Sequence, residues 1–479
     1  MSKQKSWFPD SLVLIFSIIV LAQLLTYIIP PGKYDEVPVP GHESRSMVVP
    51  GSFHDLSQDT PPVGTDAEAE HSYLPPYYFL LAIAKGLAEA QEIIFLVFLV
   101  GGVIAVLRGT GAIDAALMLA VKKAGSRPWI LIGVCLLMFS LGSFFIGMGE
   151  EYVPLIPILV TMCLAMKLDA IVAMGIVWVP YGIGWATAGI NPFGVVIAQE
   201  IAGLETASGL GFRFLLLGLC LIVGFQHVYA YARRILRDPT KSLVADVDYS
   251  EGFDPPHDVR FTPARNLIMV LFFGGIILFV IGAKFWDWYI AELNAVFLGL
   301  ALVAAIIARM TPNRVSKLFI QGASEMTAAA LLIGFARAIQ VVMDDGMIKD
   351  TVIHSIAGLL EGTGADVSAV GMLAVQTICN FFIPSGSGQA YVTMPIMSPL
   401  ATVTGVPQQV AVLAYQFGDG FTNMVVPTSA LVMGTLALGR IPYSRWVRFV
   451  TPLLIKLFLV AIAALVFAVH FADLIGYAD

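Results

Sequence analysis

Three carboxylates lie inside otherwise apolar stretches of this chain. Glu150 and Glu151 follow a glycine-rich turn, and Asp419 stands between two glycines. A carboxylate at the centre of a membrane-spanning helix costs about 2.5–3.5 kcal/mol on insertion scales, so it usually faces a cavity or a charged partner. These three would suit a cationic ligand, a bound Na⁺ or a proton held on a carboxylate. A structural cap or an ion pair with Arg337 is the alternative role for them.

The residues that could complete such a site stand in four polar segments, 147–152, 187–192, 384–389 and 418–429. Their glycines and prolines interrupt helical hydrogen bonding, which frees backbone groups to bind ions or substrate. They predict a substrate site formed by Gly147, Gly149, Glu150, Glu151, Tyr152, Asn191, Ser385, Gly386, Ser387, Gly388, Gln389, Asp419, Asn423, Thr428 and Ser429. A coupling Na⁺ would take its oxygen ligands from Thr187, Asn191, Asp419, Thr422 and Asn423. For any one segment alone, a simple helix kink is the alternative.

The composition identifies the environment of these segments. Hydrophobic residues make up 58% of the 479 residues and charged residues only 13%, against about 25% in a soluble domain. Long apolar runs recur along the whole chain, and each needs about 20 residues to cross a hydrocarbon core. The sequence therefore predicts an all-α polytopic membrane protein, with the lipid bilayer as its surroundings. A nucleic-acid partner is not expected.

The apolar runs predict spanning helices near residues 10–30, 91–107, 170–203, 211–232, 265–283, 290–308, 320–343, 405–439 and 447–474. Two further stretches, 129–165 and 366–402, are each interrupted midway by glycines and polar residues. Irregular backbone at membrane depth is tolerated only where protein or a water cavity covers it. These two stretches are therefore predicted to be re-entrant hairpins.

The distribution of positive charge predicts the orientation. With the N-terminus in the cytoplasm, most of the 27 Lys and Arg residues fall on the cytoplasmic side, as the positive-inside rule requires. Arg213 is among the few placed outside. The C-terminus then lies outside, as does a loop or small cap at 31–75, whereas 233–264 forms a cytoplasmic linker. The expected location is the bacterial inner membrane.

Two halves of the chain repeat the same order of motifs. Gly147-Met-Gly-Glu-Glu-Tyr-Val153 matches Gly386-Ser-Gly-Gln-Ala-Tyr-Val392, and four shorter matches keep nearly the same separation and order. In the predicted topology the two hairpins open from opposite sides, so the halves are inverted. Inverted repeats with broken helices are a recurring architecture of secondary transporters. The predicted division is a first repeat at 1–232, the linker at 233–264, a connecting helix at 265–283 and an inverted second repeat at 284–479.

The motifs of both halves resemble those of the bacterial YfcC family, in the DcuC group of C4-dicarboxylate carriers. The matching strings are Gly147-Met-Gly-Glu-Glu151, Asn191-Pro-Phe193, Ser385-Gly-Ser-Gly-Gln-Ala390, Phe417-Gly-Asp-Gly-Phe421 and Pro427-Thr-Ser429. The resemblance runs from Pro9 to the final helix. It implies an ion transporter superfamily fold with two hairpins, two unwound helices, a dimerising scaffold domain and a transport domain that moves as an elevator. The stretches 112–124 and 347–360 would be the arms between the domains.

The substrate hypothesis combines the resemblance with the acidic breaks. Members of the family are named, by inference, for basic amino-acid antiport, and an acidic site favours a basic amino acid such as arginine or ornithine. We expect antiport or coupling to Na⁺ or H⁺, with no other cofactor. A Na⁺-coupled C4-dicarboxylate transporter is the second hypothesis. An ion channel would need a continuous polar pore. A membrane enzyme would need clustered catalytic residues or metal-ligand spacing, and the scattered histidines provide neither.

Overall fold

The structure is a computed structural model that describes residues 11–39, 42–56, 74–113, 115, 127–145, 147–191, 193–205, 208–249, 262–286, 288, 290–360 and 362–477. It is mainly helical, as predicted. In the first part of the chain the helices are α1 (Ser11–Leu25), α2 (Tyr78–Glu89), α3 (Gln91–Gly109), α4 (Pro128–Phe145), α5 (Ile156–Ala165), α6 (Ala170–Ala186), α7 (Val195–Ile201) and α8 (Leu210–Arg237). In the second part they are α9 (Pro263–Phe285), α10 (Ile290–Ile307), α11 (Pro312–Glu325), α12 (Thr327–Asp345), α13 (Lys349–Gly358), α14 (Ala365–Phe382), α15 (Gly386–Thr404), α16 (Gln408–Thr422), α17 (Ala430–Leu438), α18 (Tyr443–His470) and α19 (Ala472–Ile475).

Within the described residues, 6 helices are long and apolar enough to cross a bilayer, judged by length and composition: α3, α4, α8, α10, α14 and α18. Shorter apolar helices add α6 and parts of α1 and α9. The single runs that predicted spans near 91–107, 211–232 and 290–308 each correspond to one helix. The run at 320–343 does not, because α11 and α12 meet at Met326 and form a bent pair.

The two longest predicted spans, 170–203 and 405–439, are each broken into two helices. In the first, α6 ends at Ala186 and α7 begins at Val195. In the second, α16 ends at Thr422 and α17 begins at Ala430. The sequence predicted both interruptions but began the second too early, because 418–422 form the last turn of α16. Helix α17 begins where it does because the side chain of Ser429 accepts a hydrogen bond from the backbone N–H of Val432.

Each predicted hairpin consists of two helical limbs joined by an irregular tip. The first limbs, α4 and α14, each have 18 residues, so each reaches about 27 Å at the rise of an α-helix. In the first hairpin a 3₁₀ helix at Glu150–Leu155 precedes α5. In the second, only 383–385 lie between the limbs. Residues 386–389, predicted as part of the irregular tip, form the first turn of α15, so the second tip (383–389) is partly helical.

Two pairs of helices cross at glycines. Helix α2 packs along α12, and α3 packs along α11. A Cβ added at Gly86 would lie 2.6 Å from the carbonyl oxygen of Gly334, and one added at Gly322 would lie 2.3 Å from that of Gly101. Backbones can approach this closely only where the side chain is absent.

Helices α4, α5, α7, α8, α14, α15 and α18 pack around α6 and α16, which contact each other. Every residue of α6 is buried, and so are residues 409–422 of α16. Helix α4 lies against α6, and α14 lies against α16 in the corresponding way. The long helices α8 and α18, with 28 residues each, contact these two pairs. The broken helices are therefore the centre of this part of the molecule.

The segment predicted as a loop or small cap contains four short strands, so the all-α prediction needs this correction. The strands β1 (Gly32–Lys33), β2 (Glu36–Val39), β3 (His42–Val48) and β4 (His54–Asp55) pair as β1 with β4 and β2 with β3, both antiparallel. The cap docks on α13, where Asp350 accepts a hydrogen bond from the backbone N–H of Tyr34 at 3.1 Å. The ring of Phe53 stacks on that of His354. Residues 57–73 lie outside the described part of the cap.

The connecting segments are seen in part. The predicted arm at 347–360 contains α13, whereas most of the arm at 112–124 lies outside the described residues. The linker at 233–264 begins later than predicted, because α8 continues to Arg237. The connecting helix predicted at 265–283 is α9, which is slightly longer. Residues 250–261 of the linker are not among those described.

We expect Gly322→Ala to destabilise the protein, because its Cβ would clash with the carbonyl oxygen of Gly101. Overpacking of this kind typically costs about 1–3 kcal/mol, so the thermal unfolding midpoint in detergent should fall. Gly299→Ala in α10 is the matched control, since nothing lies within 4 Å of its added Cβ. Equal unfolding midpoints for the two variants would contradict this crossing.

Candidate functional site

The tips of both hairpins meet on α6. Gly149 of the first tip lies against the ring of Tyr181, where an added Cβ would be 3.1 Å from Cε2. Gly386 lies against the ring of Trp185, where an added Cβ would be 2.6 Å from Cζ2. Tyr181 and Trp185 are one helical turn apart, with ring centroids separated by 5.9 Å. Polar segments far apart in sequence are therefore neighbours around one helix.

Asp419 is fully buried at this meeting point. Its carboxylate accepts one hydrogen bond from Nε1 of Trp185 at 2.5 Å and another from Nδ2 of Asn423 at 2.9 Å. It forms no ion pair with any residue that the structure describes. The alternative pairing with Arg337 is wrong, because Arg337 binds Glu89 instead, with 2.9 Å between Nε and Oε2.

Oxygen atoms cluster at the C-terminal end of α16 around Asn380 of α14. Nδ2 of Asn380 lies 3.1 Å from the carbonyl oxygen of Asp419, 2.6 Å from Oγ1 of Thr422 and 3.0 Å from Oδ1 of Asn423. Oδ1 of Asn380 is itself buried and has no hydrogen-bond partner among the described residues. The amide nitrogen of Asn380 occupies the centre of the first three oxygens, so a small cation that prefers oxygen ligands could use them, with the carboxylate of Asp419, only in place of that amide group.

The first tip rests on the break between α6 and α7. Gly147 adopts φ +78°, and a Cβ there would lie 2.5 Å from Oδ1 of Asn191, so this turn requires glycine. Asn191 is buried and donates to the carbonyl oxygen of Ser143 at 3.4 Å. The hydroxyl of Thr187 donates to the carbonyl oxygen of Ile183 at 2.8 Å. The polar side chains at the first break thus make hydrogen bonds to backbone groups of the protein. Pro192 lies outside the described residues.

The remaining residues of the first tip have different surroundings. Glu151 accepts a hydrogen bond from the backbone N–H of Gly149 at 2.7 Å, which favours the capping alternative for this carboxylate. Glu150 is half-buried. The hydroxyl of Tyr152 donates to the carbonyl oxygen of Phe139 at 2.8 Å and holds the tip against α4.

The second tip is held by several side chains. Ser385 caps α15 by accepting from the backbone N–H of Gly388 at 3.4 Å, and the carbonyl oxygen of Gly386 accepts from the hydroxyl of Tyr415 at 2.6 Å. Gln389 is buried and donates to the carbonyl oxygen of Gln376 at 2.9 Å. Ser387 is half-buried.

The fourth polar segment also contacts the second hairpin. The hydroxyl of Thr428 donates to the carbonyl oxygen of Phe381 at 2.8 Å. Ser429 caps the following helix. The predicted residues are therefore brought together as two clusters, one at each tip, which share α6 and α16.

Sequence reasoning missed several residues of this region. Trp185, Tyr181 and Tyr415 were not among the predicted site residues. Asn380 is the last polar residue of a mostly apolar limb, and that position could have identified it. Arg213 was placed in the external region, yet its side chain is fully buried.

We expect Trp185→Phe to destabilise the protein more than Trp178→Phe does. The first change removes a hydrogen bond to a carboxylate, which is typically worth about 1.5–3 kcal/mol, and the second removes one between neutral groups, worth about 0.5–1.5 kcal/mol. In the control, Trp178 donates to Oγ1 of Thr435 at 2.8 Å. Thermal unfolding of both purified variants in detergent is the measurement. A larger loss for Trp178→Phe would refute the importance of the contact with Asp419.

Solved transporter structures show distant likeness. The YdaH transporter of Alcanivorax borkumensis is 15% identical, with a TM-score of 0.43 over 98% of this chain and 100% of its own. MtrF of Neisseria gonorrhoeae, described with a class of antimetabolite efflux pumps, is 18% identical, with a TM-score of 0.39 over 96% of this chain and 95% of its own.

The sequence relatives cover nearly the whole chain. An uncharacterized Haemophilus influenzae protein is 31% identical over 97% of both chains. Escherichia coli K12 YfcC, provisionally named a basic amino acid antiporter, is 31% identical over 98% of this chain and 97% of its own. The predicted resemblance to YfcC is confirmed. Residues 8–470 match the family described as DcuC, C4-dicarboxylate anaerobic carrier. The chain belongs to the DcuC family and is a membrane transporter.

Proposed function

We propose that this protein is a secondary active transporter of a small charged metabolite, a basic amino acid in particular, in the bacterial inner membrane. The observation that carries the proposal is the buried carboxylate of Asp419 at the meeting point of two hairpin tips. It has no cationic partner among the described residues. A buried carboxylate without a counter-ion is unfavourable unless a ligand or proton neutralises it. A cationic substrate or coupling ion would do so.

The inverted-repeat architecture is part of the proposal and is supported by paired helices. Corresponding helices have equal lengths, namely 19 residues in α3 and α12, 18 in α4 and α14, and 28 in α8 and α18. The packing is reciprocal as well, because α2 lies along α12 while α3 lies along α11. In the repeat, α2 corresponds to α11 and α3 to α12. A two-fold relation between the halves would therefore turn one of these two contacts into the other.

The carbonyl oxygens that hold the two tips lie at corresponding positions of their first limbs, although the donors differ, since the repeat aligns Tyr152 with Tyr391 and not with Gln389. Tyr152 of the first tip binds the carbonyl oxygen of Phe139 in α4, and Gln389 of the second binds that of Gln376 in α14. Each bond links a tip to the middle of its own first limb. The breaks show a similar pattern. Asn191 donates to a carbonyl oxygen near the end of α4, and Thr428 donates to one near the end of α14.

An elevator movement is the mechanism that best fits this packing. The glycine crossings hold α2, α3, α11 and α12 together as one body, and the tips with α6 and α16 form another. Contacts between the bodies include those of α12 with α17 and of α3 with the 3₁₀ helix at Glu150–Leu155. In the proposed cycle the second body moves and exposes the site to each side in turn. Homodimerisation through the first body and the predicted orientation of the termini belong to the same proposal.

The proposed coupling site for Na⁺ or H⁺ lies at the second break. Asp419, Thr422, Asn423 and Asn380 present oxygen atoms there. Of the other predicted ligands, Thr187 uses its hydroxyl hydrogen within its own helix. Asn191 accepts at Oδ1 from the backbone N–H of Phe193 at 2.8 Å. Thr422 and Asn423 of the second break make comparable bonds, so the preference for the second break depends on the buried carboxylate of Asp419.

Na⁺-coupled C4-dicarboxylate transport is the second candidate, and the description of the matching family favours it. A dicarboxylate would require cationic or donor groups facing the substrate. The acidic character of the second break supports the basic amino acid instead.

We expect Asp419→Asn to abolish uptake of arginine or ornithine into proteoliposomes while leaving the protein folded, because the amide keeps the shape but not the charge. Uptake should be measured in NaCl and in choline chloride. Loss of uptake by the unmodified protein in choline chloride would support Na⁺, and equal uptake in both would support H⁺ or obligate exchange. Thr435→Ser is the control, since it keeps the hydroxyl that Trp178 binds. Normal uptake by Asp419→Asn would refute the proposed role.

Ligand-dependent stability should identify the substrate class, because a ligand that binds only the folded protein raises its unfolding midpoint. A ligand present at 100 times its dissociation constant stabilises by about 2.7 kcal/mol. We expect arginine or ornithine to raise the midpoint in detergent more than succinate does, and Asp419→Asn to remove the effect. The reverse order would favour the dicarboxylate hypothesis.

A further inference from the structure

Arg213 is a fully buried cation in the first turn of α8. Its Nη1 donates to the carbonyl oxygen of Ala188 at 3.0 Å and also to Oε1 of Gln416, while Nη2 donates to Oε1 of Gln409 at 3.3 Å. Its Nε has no hydrogen-bond partner among the described residues, and the guanidinium forms no ion pair with any of them. Within the described part of the chain, neutral oxygens are thus the groups that stabilise this positive charge.

The position of this charge is specific. Ala188 lies just beyond the end of α6, where the last carbonyl groups of a helix carry a partial negative charge. Removing a cation from water costs several kcal/mol unless its surroundings compensate. The guanidinium thus stands where the first broken helix would stabilise a cation.

The second half places a neutral group at the corresponding point. Trp446 is the fourth residue of α18, as Arg213 is of α8. Its Nε1 donates to the carbonyl oxygen of Met424 at 2.7 Å, and Met424 follows the end of α16 as Ala188 follows the end of α6. The same carbonyl position is thus bound by a guanidinium in one half and by an indole in the other.

The two breaks therefore carry opposite charges. The first has Arg213, whereas the second has the carboxylate of Asp419 and the unpartnered Oδ1 of Asn380. We propose that Arg213 is a tethered cation that takes the place of a mobile one at the first break, so that only the second break binds a coupling cation. This inference rests on the proposed function.

A simple structural clamp is the competing explanation, and substitutions can separate charge from hydrogen bonding. Arg213→Gln keeps a donor for the carbonyl oxygen of Ala188 but removes the charge. Arg213→Lys keeps the charge. Arg213→Ser is a second neutral variant that leaves space for an ion and its water. Trp446→Gln is the matched control in the other half, because it replaces one neutral donor by another.

The measurement is the thermal unfolding midpoint of the full chain in detergent, titrated with NaCl at constant total salt made up with choline chloride. Each variant is combined with Asp419→Asn, so that the proposed site at the second break no longer binds Na⁺. We expect Arg213→Gln and Arg213→Ser to gain a Na⁺-dependent rise. Arg213→Lys and Trp446→Gln should gain none. At a Na⁺ concentration 100 times its dissociation constant, binding would stabilise the protein by about 2.7 kcal/mol.

The same titration distinguishes failure of this inference from failure of the proposed function. If neither neutral variant responds to Na⁺ more than Arg213→Lys does, Arg213 is a clamp and the inference is wrong. A neutral variant that can be purified in NaCl but not in choline chloride would support the inference. Loss of both neutral variants in both salts would overturn it, because Na⁺ would then not replace the charge. If the single variant Asp419→Asn, with Arg213 unchanged, still responded to Na⁺, that result would instead contradict the proposed role of Asp419.

Discussion

The burial of Asp419 is the constraint on which the arrangement of the site depends. A carboxylate removed from water must be satisfied by donors that are already in place. Here Trp185 supplies one from the first half of the chain and Asn423 supplies another from the second. This links α6 to α16 and brings both broken helices to one point. The second tip then lies on the same indole ring through Gly386.

Glycine makes this convergence sterically possible. Gly149 and Gly386 contact aromatic rings of α6 where a Cβ would crowd them, and Gly147 has a backbone conformation that favours glycine. The helices around the site depend on the same property, because Gly86 and Gly322 lie where two pairs of backbones cross. In both regions the residue without a side chain sets the distance between elements.

Under the proposed inverted-repeat relation, the ends of the two broken helices are bound in the same way but by groups of different charge. Equivalent carbonyl oxygens beyond α6 and α16 accept hydrogen bonds from equivalent positions in α8 and α18. The donor is the cation of Arg213 in one half and the neutral indole of Trp446 in the other. The break after α6 therefore has a positive group beside it, whereas the break after α16 has a negative one. In the proposed transport cycle this difference would determine where a mobile cation is stabilised.

The sequence alone determined the membrane character, most helices, both hairpins and the approximate breaks, because apolar runs and glycine or proline interruptions are local properties. It misplaced the start of the second break, since Gly418 and Gly420 remain helical within the packed end of α16. Only the tertiary structure decided that Asp419 binds Trp185, that Arg213 is buried and that Asn380 belongs to the site. Those contacts join segments far apart in the chain, and their partners depend on how whole helices pack.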